Sequence, residues 1–469
     1  FMTIAGFFGL ILASCISDAV TASSSANLSF SRDTVNFDTV FTDLGTPTAR
    51  LIVFNHNKKG VEISSKKLKN QNSNFSINVD GRSGKVFNDV EIRGNDSIYV
   101  FIECFIPETE AAEPALVDDE LIFVTNGVTQ SVRLEAYGQN ITRLRAQRVS
   151  SDMTLTAERP IVVFDSLVVE EGATLKILPD TKLLFHDGAQ LIVHGRLDAI
   201  GEPGKFIQMR GDRLDNVLPN VGYDILAGQW KGIRISQNSF DNRMEYVDMR
   251  STEEGLRLDS CADLSKSKLL LRNSWLHNSQ GSVLESKYAK VDAYGCCFSE
   301  AADAVVSLTG GVHQFVQCTF ANNYLFSAIS QPILSLYHLL PDHTNENDLP
   351  LMKASFENSI IYGLAADINE GDLYGSDVFF RYVSLKSEGT DDENFINCMW
   401  DTDPLFLTDR PIYYFNYHVR PDSPVIGMGD PIFVNQETLY DMDGVNRLAD
   451  GYPTLGAYAR PEERPESIK

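Results

Sequence analysis

The chain has 469 residues, with 40 Lys plus Arg against 64 Asp plus Glu, so its formal net charge is −24. Single hydrophobic cores rarely exceed roughly 250–300 residues, so this length favours more than one domain. A hydrophobic fraction of 43 % is ordinary for a globular protein and argues against wholesale disorder. The acidic balance argues against nucleic acid as a main partner and against adsorption to anionic lipid, because phosphate contacts need Lys and Arg.

The first fifteen residues are apolar and uncharged, and they end in the motif Leu12–Cys15. This stretch is shorter than the about 20 residues that a membrane-spanning helix needs, and it is typical of the apolar core of a secretory signal. The motif resembles the bacterial lipobox, which implies that Cys15 is acylated and becomes the first residue of the mature protein. We therefore predict an incomplete signal peptide over residues 1–14 and a polar, lipidated tether over residues 15–27. The alternative is a signal that is cleaved elsewhere, with Cys15 incidental.

The same resemblance bears on location. In lipoproteins of Bacteroidetes, acidic residues directly after the acylated Cys direct the protein to the outer side of the outer membrane, and here Asp18 is the one acidic residue in place. We expect a lipid-anchored outer-membrane protein that faces the cell surface, with a periplasm-facing orientation as the alternative. The lipid on Cys15 is the one bound group that we predict, and no other cofactor is expected.

Between residues 28 and 148 the sequence predicts a β-sandwich. Apolar and polar residues alternate in Val35–Val40, and further short apolar segments follow, separated by turns rich in Gly, Asn and Asp. Regularly spaced short strands of this kind are typical of sandwich folds. The motifs Asp96–Phe101 and Val132–Gly138 within this strand order resemble the immunoglobulin-like domains of the ASH and choice-of-anchor D kind. That resemblance implies a spacer or docking module.

From residue 149 the pattern changes to very short strands with turns between them and no stretch of helical periodicity. Trp275, Phe298 and Phe320 are 23 and 22 residues apart, and we expect them to occupy equivalent positions in successive repeats. This spacing suits one three-strand coil of a parallel β-helix. Such positions would stack into an apolar ladder inside the coil. The phrase that carries these residues recurs at Asn273–Asn278, Cys296–Glu300 and Cys318–Asn323.

Longer motifs in this region resemble the coils of right-handed parallel β-helix proteins. This resemblance implies a right-handed parallel β-helix over residues 149–432 and a closing segment and tail over residues 433–469, so that the expected fold class is all-β. β-Helices include lyases, hydrolases, adhesins and inert scaffolds, so this fold does not by itself determine function. Segments that resemble the opening coils are Gly172–Pro179, Leu191–Gly201 and Trp230–Ile235, and segments that resemble the closing coils or the choice-of-anchor Q tail are Asp401–Phe406, Tyr417–Asp430, Asp441–Gly444 and Leu455–Tyr458.

No catalytic residue and no metal site is assigned. The sequence has neither Gly-His-Gly nor Arg-Ile-Lys, the motifs of related pectin-cleaving sites, and its Cys and His lack CxxC or HxxxH spacing. Asp391, Asp392, Asp401 and Asp403 come nearest to a carboxylate pair for glycoside hydrolysis. Asp residues in such phrases more often cap turns, and we favour that role. The motif Asp441–Gly444 begins like a calcium loop but is better explained as an Asx turn.

Two places are candidates for a ligand or partner surface. One is the aromatic run around Tyr414 and Asn416, which alternation places on the same side of a strand. The other is an insertion that interrupts the repeat and carries His338 and His343, since insertions on repeat scaffolds often form the binding face. Core packing and a solvated loop are the respective alternatives. Cys296 and Cys318 should lie in register on neighbouring coils, as a buried thiol ladder or as a disulfide.

Two functions from different classes remain. We favour a non-catalytic outer-membrane lipoprotein that acts as a scaffold or accessory subunit of a complex with a barrel protein and other lipoproteins. A SusCD-type nutrient importer and the barrel-assembly machinery are the two kinds of complex that we expect. The alternative is a glycan-binding or glycan-degrading β-helix, either a polysaccharide lyase or a glycoside hydrolase. A charge of −24 would repel acidic glycans unless Ca²⁺ or a basic cleft intervened.

Overall fold

The structure is a computed structural model that describes residues 19–79, 81–111, 113–218, 221–261, 263–337, 352–369 and 377–463. Its contacts divide the chain into two compact units, Phe1–Asn140 and Ile141–Lys469. Over the described residues it consists of β-strands, turns and three short 3-10 helices at Tyr223–Ile225, Arg410–Ile412 and Pro431–Phe433. Within this part of the chain no helix is long and apolar enough to cross a membrane.

In the part of the first unit that the structure describes there are eleven strands, numbered β1 to β11, in two sheets. One sheet has the order β1-β3-β9-β5-β6, and the other has the order β2-β11-β10-β4-β7 with β8 also paired to β4. Strands β2 and β11 are parallel, and the other pairs are antiparallel. The strands are Ser29–Phe30, Thr34–Phe41, Ala49–Asn55, Val61–Leu68, Phe75–Val79, Arg82–Gly84, Val86–Phe87, Val90–Ile92, Asp96–Cys104, Ala115–Thr125 and Val128–Gln139.

One core lies between these two sheets. Because side chains alternate along a strand, every second residue points inward, and Leu51, Val100 and Phe123 are examples with no solvent exposure. The core begins within the residues expected to form the tether, since Ala26 is buried and Val20 pairs with Gly60. The period-two pattern therefore predicted this unit correctly as a sandwich.

The described residues of the second unit contain 28 further strands, numbered β12 to β39. Its first strand, β12, pairs in parallel with β14, so the division between the units falls before the expected boundary at 148 and 149. The strands are Thr142–Val149, Met153–Leu155, Ile161–Val169, Thr174–Ile177, Lys182–Phe185, Gln190–Val193, Arg196–Ile200, Ile207–Gly211, Asn216–Leu218, Val221–Gly222, Gly232–Ile235, Asn242–Glu245, Val247–Thr252, Leu256–Leu258, Leu269–Arg272, Trp275–Ser279, Leu284–Lys287, Lys290–Tyr294, Cys297–Ala301, Val306–Thr309, Val312–Val316, Thr319–Asn322, Leu334–Tyr337, Lys353–Glu357, Ile360–Gly363, Asp377–Arg381, Ser384–Leu385 and Phe395–Ile396.

These strands form a parallel β-helix with three faces, which the chain visits in turn. Face 1 contains the first half of β14, then β16, β19, β24, β27, β30, β33, β36 and β38. Face 2 contains the second half of β14, then β17, β22, β25, β28, β31 and β34. Face 3 contains β13, β15, β18, β23, β26, β29, β32, β35, β37 and β39. The predicted all-β fold class, a sandwich followed by a parallel β-helix, is confirmed.

Stacked aromatic rings fill the interior of the later coils. The rings of Phe315, Phe356, Phe380 and Phe395 are nearly parallel, with centroids 5.1, 4.8 and 4.7 Å apart. Each ring comes from face 3 of a successive coil and is covered by the rings of its neighbours. The repeat therefore supplies what a single short coil cannot, namely a continuous apolar core.

The register corrects one expected equivalence. Phe298 pairs with Phe320 as expected, but it pairs with Leu276, whereas Trp275 pairs with Cys297. A shift of one residue turns a side chain to the opposite face of a strand. Trp275 therefore lies on the outer side of face 1, and Leu276 takes its place in the interior ladder.

The recurring sequence motif begins at a corner of the β-helix. The residue between face 3 and face 1 has a positive φ in seven successive coils, and most of these residues are not Gly. Asn tolerates this left-handed conformation better than most residues, and the sharp corner requires it. The seven residues are Tyr246, Asn273, Gly295, Gln317, Asn358, Tyr382 and Asn397, with φ between 45 and 64°. We call them the corner residues.

Candidate functional site

The outer side of face 1 is covered by the C-terminal part of the chain. Residues 401–463, which we call the outer layer, contain turns, two 3-10 helices and isolated bridges but no extended strand among the described residues. The layer begins before the expected closing segment at residue 433. Residues 401–432, which we predicted to be part of the β-helix, therefore belong to the outer layer. Apolar contacts join Cys297, Ala321 and Ile360 of face 1 to Tyr417, Val419, Val425, Met442, Leu455 and Ala457 of the layer.

Three corner residues hold this layer by hydrogen bonds. The Asn273 amide donates to the Tyr440 carbonyl oxygen at 3.1 Å, and the Asn358 amide donates to the Asp430 carbonyl oxygen at 2.9 Å. Gln317 accepts a bond from the buried guanidinium of Arg447 at 3.2 Å. The residues that turn the coil therefore also fix the layer, because their side chains point outward at the corner.

Arg447 is the most completely buried cation of the layer. Its guanidinium also donates to the carbonyl oxygens of Gly456 and Ala457 at 3.0 and 2.6 Å. Burial lowers the pKa of Arg447 to about 10, so the side chain stays charged at neutral pH. Removing it would leave several carbonyl groups buried without a donor.

A buried carboxyl group meets the layer at its centre. Glu300 lies in β30 of face 1 with φ 51° and 1 % exposure, and the Tyr417 hydroxyl donates to its Oε1. Burial raises the pKa of Glu300 to about 7, although bonds from Ser299, Tyr417 and the Asn323 N–H oppose the rise. Burial and the Glu300 carboxyl also raise the pKa of Tyr417 well above its ordinary value. The pair joins the layer to the β-helix and is buried from solvent.

A second polar cluster lies beneath the insertion between β19 and β22. Arg250 of face 1 bonds to Asp224 of the insertion at 2.9 Å and to Asp248 at 3.1 Å. His277 bonds to Asp248 at 3.0 Å and stacks on Trp275 with ring centroids 4.0 Å apart. Burial acts to raise the pKa of Asp248, but Arg250 and His277 outweigh it, so this pKa is lowered. Each carboxylate here has a cationic partner, which suits a structural clamp on the insertion.

The predicted residues Tyr414 and Asn416 lie in the outer layer and bond to each other. The Asn416 amide donates to the Tyr414 hydroxyl at 2.9 Å, and its carbonyl oxygen accepts the His418 N–H at 2.9 Å. The His418 ring contacts the same Asn416 oxygen and Asp443, each at 2.7 Å, and stacks on Tyr458 at 3.7 Å. The sequence pattern placed Asp443 in the motif Asp441–Gly444 but did not connect Asp443 or His418 with Tyr414 and Asn416. The two-residue spacing of Asn416 and His418, which places both side chains on the same side of an extended segment, is the sequence feature that could have indicated their contact.

A cleft of about 640 Å³ lies next to this network. Arg420 and Asp422 form an ion pair across 2.8 Å in its wall, and Glu462 lies 3.6 Å from the His418 ring. The cleft is therefore acidic, with one internally paired cation. Its lining residues are Phe406, Leu407, Thr408, Arg420, Pro421, Asp422, Glu462 and Glu463.

Three of the four Asp residues considered for catalysis, Asp391, Asp392 and Asp403, accept hydrogen bonds from nearby turns. Asp391 accepts bonds from the Asn397 and Cys398 N–H groups and from the Trp400 ring. Asp392 accepts from two further N–H groups, and Asp403 accepts from the Leu405 N–H at 2.8 Å. The carboxylate of Asp441 similarly accepts from the N–H groups of residues 443 and 445. These carboxylates stabilise turns.

The cysteines of the described residues are free, and those in the coil interior are buried. Burial and the neighbouring Cys296 raise the pKa of the Cys318 thiol well above its ordinary value, as expected for a stacked thiol ladder. No group of three or more His, Cys, Asp or Glu in the described ranges could hold a metal ion. Cys15, His338 and His343 lie outside the described residues.

Comparisons with known proteins do not identify a family. No family model matches the chain, and no curated protein matches it. A protein of unknown function from Porphyromonas gingivalis W83 is 14 % identical over 28 % of this chain and 58 % of its own, with a TM-score of 0.19. A family 123 glycoside hydrolase from Clostridium perfringens is 13 % identical over 24 % of this chain and 26 % of its own, with a TM-score of 0.17. The chain thus spans less than two thirds of either protein, and likeness at these scores carries no functional conclusion.

Proposed function

We propose that the protein is a non-catalytic outer-membrane lipoprotein that serves as a scaffold or accessory subunit of an outer-membrane complex. The main support for this proposal is that the outer layer covers the outer side of face 1. The outer layer buries Cys297, Ala321 and Ile360, so this part of face 1 serves internal packing. A repeat structure braced along one side is suited to hold a fixed length and shape.

The chemistry of the buried groups supports the same role. Glu300, Asp248 and Arg447 have perturbed pKa values, which often mark active sites, but each is engaged by partners within the chain. Asp391 and its neighbours are engaged by turn N–H groups. We propose a barrel protein and other lipoproteins as the partners, in a SusCD-type importer or in the barrel-assembly machinery.

Native purification tests the scaffold proposal. The full chain with its own signal, solubilised in mild detergent, should co-purify with an outer-membrane barrel protein in fixed stoichiometry. A matched chain with Cys15→Ser would lose the anchor but keep the fold, and should lose the partner from membrane fractions. A protein that runs alone in every native preparation would contradict the proposal.

The lipid anchor and the surface location need separate measurements. Mass spectrometry of the native protein should show an acylated Cys15, and an unmodified thiol there would exclude the anchor. Protease added to intact cells should cleave the chain if it faces the surface. Cleavage confined to permeabilised cells would instead place it on the periplasmic side.

A glycan-binding or glycan-degrading function is the second candidate, and the acidic cleft beside Asn416 and His418 favours it. A degrading enzyme should release reducing or unsaturated ends from a polysaccharide. Neutralising a catalytic carboxylate lowers such an activity by roughly 10²-fold or more. Glu462→Gln and Glu463→Gln are the first variants to compare, and Asp403→Asn, in a turn, is the control. Absence of released ends across a broad polysaccharide panel would remove the degrading form of this candidate.

A further inference from the structure

The first unit has an aromatic surface on the outer side of its five-stranded sheet. Strand β9 is the central strand of that sheet, and its residues Val100 and Ile102 are fully buried. Alternation therefore turns Tyr99 and Phe101 to the opposite side, where they are 47 and 39 % exposed. Two large aromatic side chains next to each other on a solvent-facing side form an apolar surface on which a ligand can pack.

The strand register surrounds these rings with other groups. Ile52 lies opposite Tyr99, while Arg50 and Asn78 lie opposite Phe101 on the two neighbouring strands. The two ring centroids are 6.3 Å apart, and the ring planes differ by 29°. The Arg50 guanidinium lies 5.2 Å from the centre of the Tyr99 ring. We call these five residues the aromatic platform.

The polar groups of the platform have unused hydrogen-bonding capacity. Apart from its contact with Tyr99, the Arg50 guanidinium makes no hydrogen bond or ion pair with any residue that the structure describes. The Asn78 amide donates to the Ser83 hydroxyl at 2.9 Å, and none of the described residues donates to its carbonyl oxygen. A guanidinium has five donors in a planar fork that matches a carboxylate. The platform thus combines flat apolar faces with a free cation and an amide oxygen.

We propose that the aromatic platform binds an acidic glycan built from pyranose units. The C–H groups on one side of a pyranose ring are attracted to the negative face of an aromatic ring, which suits Tyr99 and Phe101. Arg50 would bind a sugar carboxylate through two hydrogen bonds, and Asn78 would accept a bond from a sugar hydroxyl. This site is independent of the proposed scaffold function and of the acidic cleft in the second unit.

The chemistry of the platform favours a glycan over a protein partner. Aromatic residues and Arg are also common at protein interfaces. Here, however, a guanidinium and an amide flank the Phe101 ring in register, and they match the carboxylate and hydroxyl groups of an acidic sugar. The net charge of −24 opposes acidic ligands at long range. At physiological salt that effect decays over a Debye length of about 8 Å, so Arg50 at the site outweighs distant carboxylates. The carboxylate of Glu103, two residues beyond Phe101 on the same side of β9, lies next to the platform and accepts a hydrogen bond from the Thr48 hydroxyl at 2.8 Å.

Affinity gel electrophoresis of the whole soluble chain tests the proposal, because its charge of −24 ensures migration at neutral pH. The probes are polygalacturonate, alginate and hyaluronate, with neutral dextran as the reference. We expect at least one acidic polysaccharide to retard the chain and dextran to leave it unretarded. Retardation by none of the three acidic probes, or equal retardation by dextran, would overturn the proposal.

Variants locate the site. The double variant Tyr99→Ala and Phe101→Ala should lose at least tenfold in apparent affinity, and Arg50→Gln should lose several-fold. The matched control is Tyr137→Ala, because Tyr137 lies on the other sheet and is 42 % exposed. Unchanged far-UV circular dichroism would verify folding. Undiminished glycan binding by the double variant overturns the proposal, and if that variant instead loses a co-purifying protein, the platform is a protein-docking face.

Discussion

The two units treat an apolar outer sheet face in opposite ways. In the β-helix, the outer side of face 1 is covered by the outer layer, so that Cys297 and Ile360 have almost no solvent exposure. In the sandwich, Tyr99 and Phe101 stand on an outer face and remain exposed. Every strand has two sides, and only one of them faces its own core. The outer side of an apolar sheet is either covered by the same chain, as on face 1, or left open to solvent, as at Tyr99 and Phe101, where a ligand can pack.

The largest expected effect comes from the interior ladder. Phe356→Ala removes a ring stacked between Phe315 and Phe380, and should lower the free energy of unfolding by about 3–5 kcal/mol. Phe101→Ala on the platform should cost about 1 kcal/mol or less. The chain has three Trp, at 230, 275 and 400, all in the second unit, so Trp fluorescence in denaturant reports on the β-helix alone. Far-UV circular dichroism follows both units and measures the effect of Phe101→Ala. Equal losses of stability in the two variants would contradict the comparison.

The next largest loss of stability should come from a substitution that weakens the attachment of the outer layer to the β-helix. Arg447→Met keeps the side-chain volume but leaves the carbonyl oxygens of Gly456 and Ala457 without their donor. We expect a loss of about 2–4 kcal/mol in the stability of the layer. Hydrogen exchange should accelerate in residues 401–463 while the interior strands of face 3 stay protected. Acceleration throughout the second unit would mean that the layer and the helix unfold as one.

Glu300 should make the stability of the second unit depend on pH. Its pKa in the folded chain is about 7 against an ordinary value of 4.5, so the protonated form is favoured by folding. Its contribution is fully present below pH 4.5 and is lost as the pH rises through about 7, by roughly 3 kcal/mol at most. Glu300→Gln should therefore stabilise the second unit at pH 8 relative to the wild type and have little effect at pH 4.5. Denaturation midpoints at the two pH values measure this, and a variant that lost stability at pH 8 would be the opposite result.

The smallest effects concern the turn carboxylates. Asp391→Ala removes the acceptor for the N–H groups of Asn397 and Cys398 and should cost about 1–2 kcal/mol. Asp391→Asn keeps one acceptor oxygen but places its NH2 group against an N–H donor that the second oxygen accepted, so it should cost about as much. Both changes should leave any glycan binding unaltered. A loss of binding or of released sugar ends in the Asn variant, with the fold retained, would restore the catalytic interpretation.

The sequence predicted the candidate sites less completely than the fold. It placed Tyr414 and Asn416 on one side, and the structure brings the two side chains within 2.9 Å. It did not associate them with His418, Asp443 or Tyr458, because Asp443 and Tyr458 come from distant turns of the outer layer. It also did not single out Tyr99 and Phe101, whose alternation with Val100 and Ile102 was visible, because alternation alone does not tell which side another segment covers. Their exposure became apparent only in the folded sheet.

The sequence by itself determined the all-β fold class, the two kinds of unit and the repeat of the second unit, because period-two alternation and a recurring phrase are local properties of the chain. The one-residue error at Trp275 shows the limit of that evidence, since the register of stacked coils depends on how each corner turns. Only the tertiary structure decided that residues 401–463 return along face 1. The bond between Glu300 and Tyr417 joins residues 117 apart, and the bond between Arg447 and Gln317 joins residues 130 apart. Such contacts form because the helix presents a long apolar side that must be covered, and no local pattern specifies which later segment covers it.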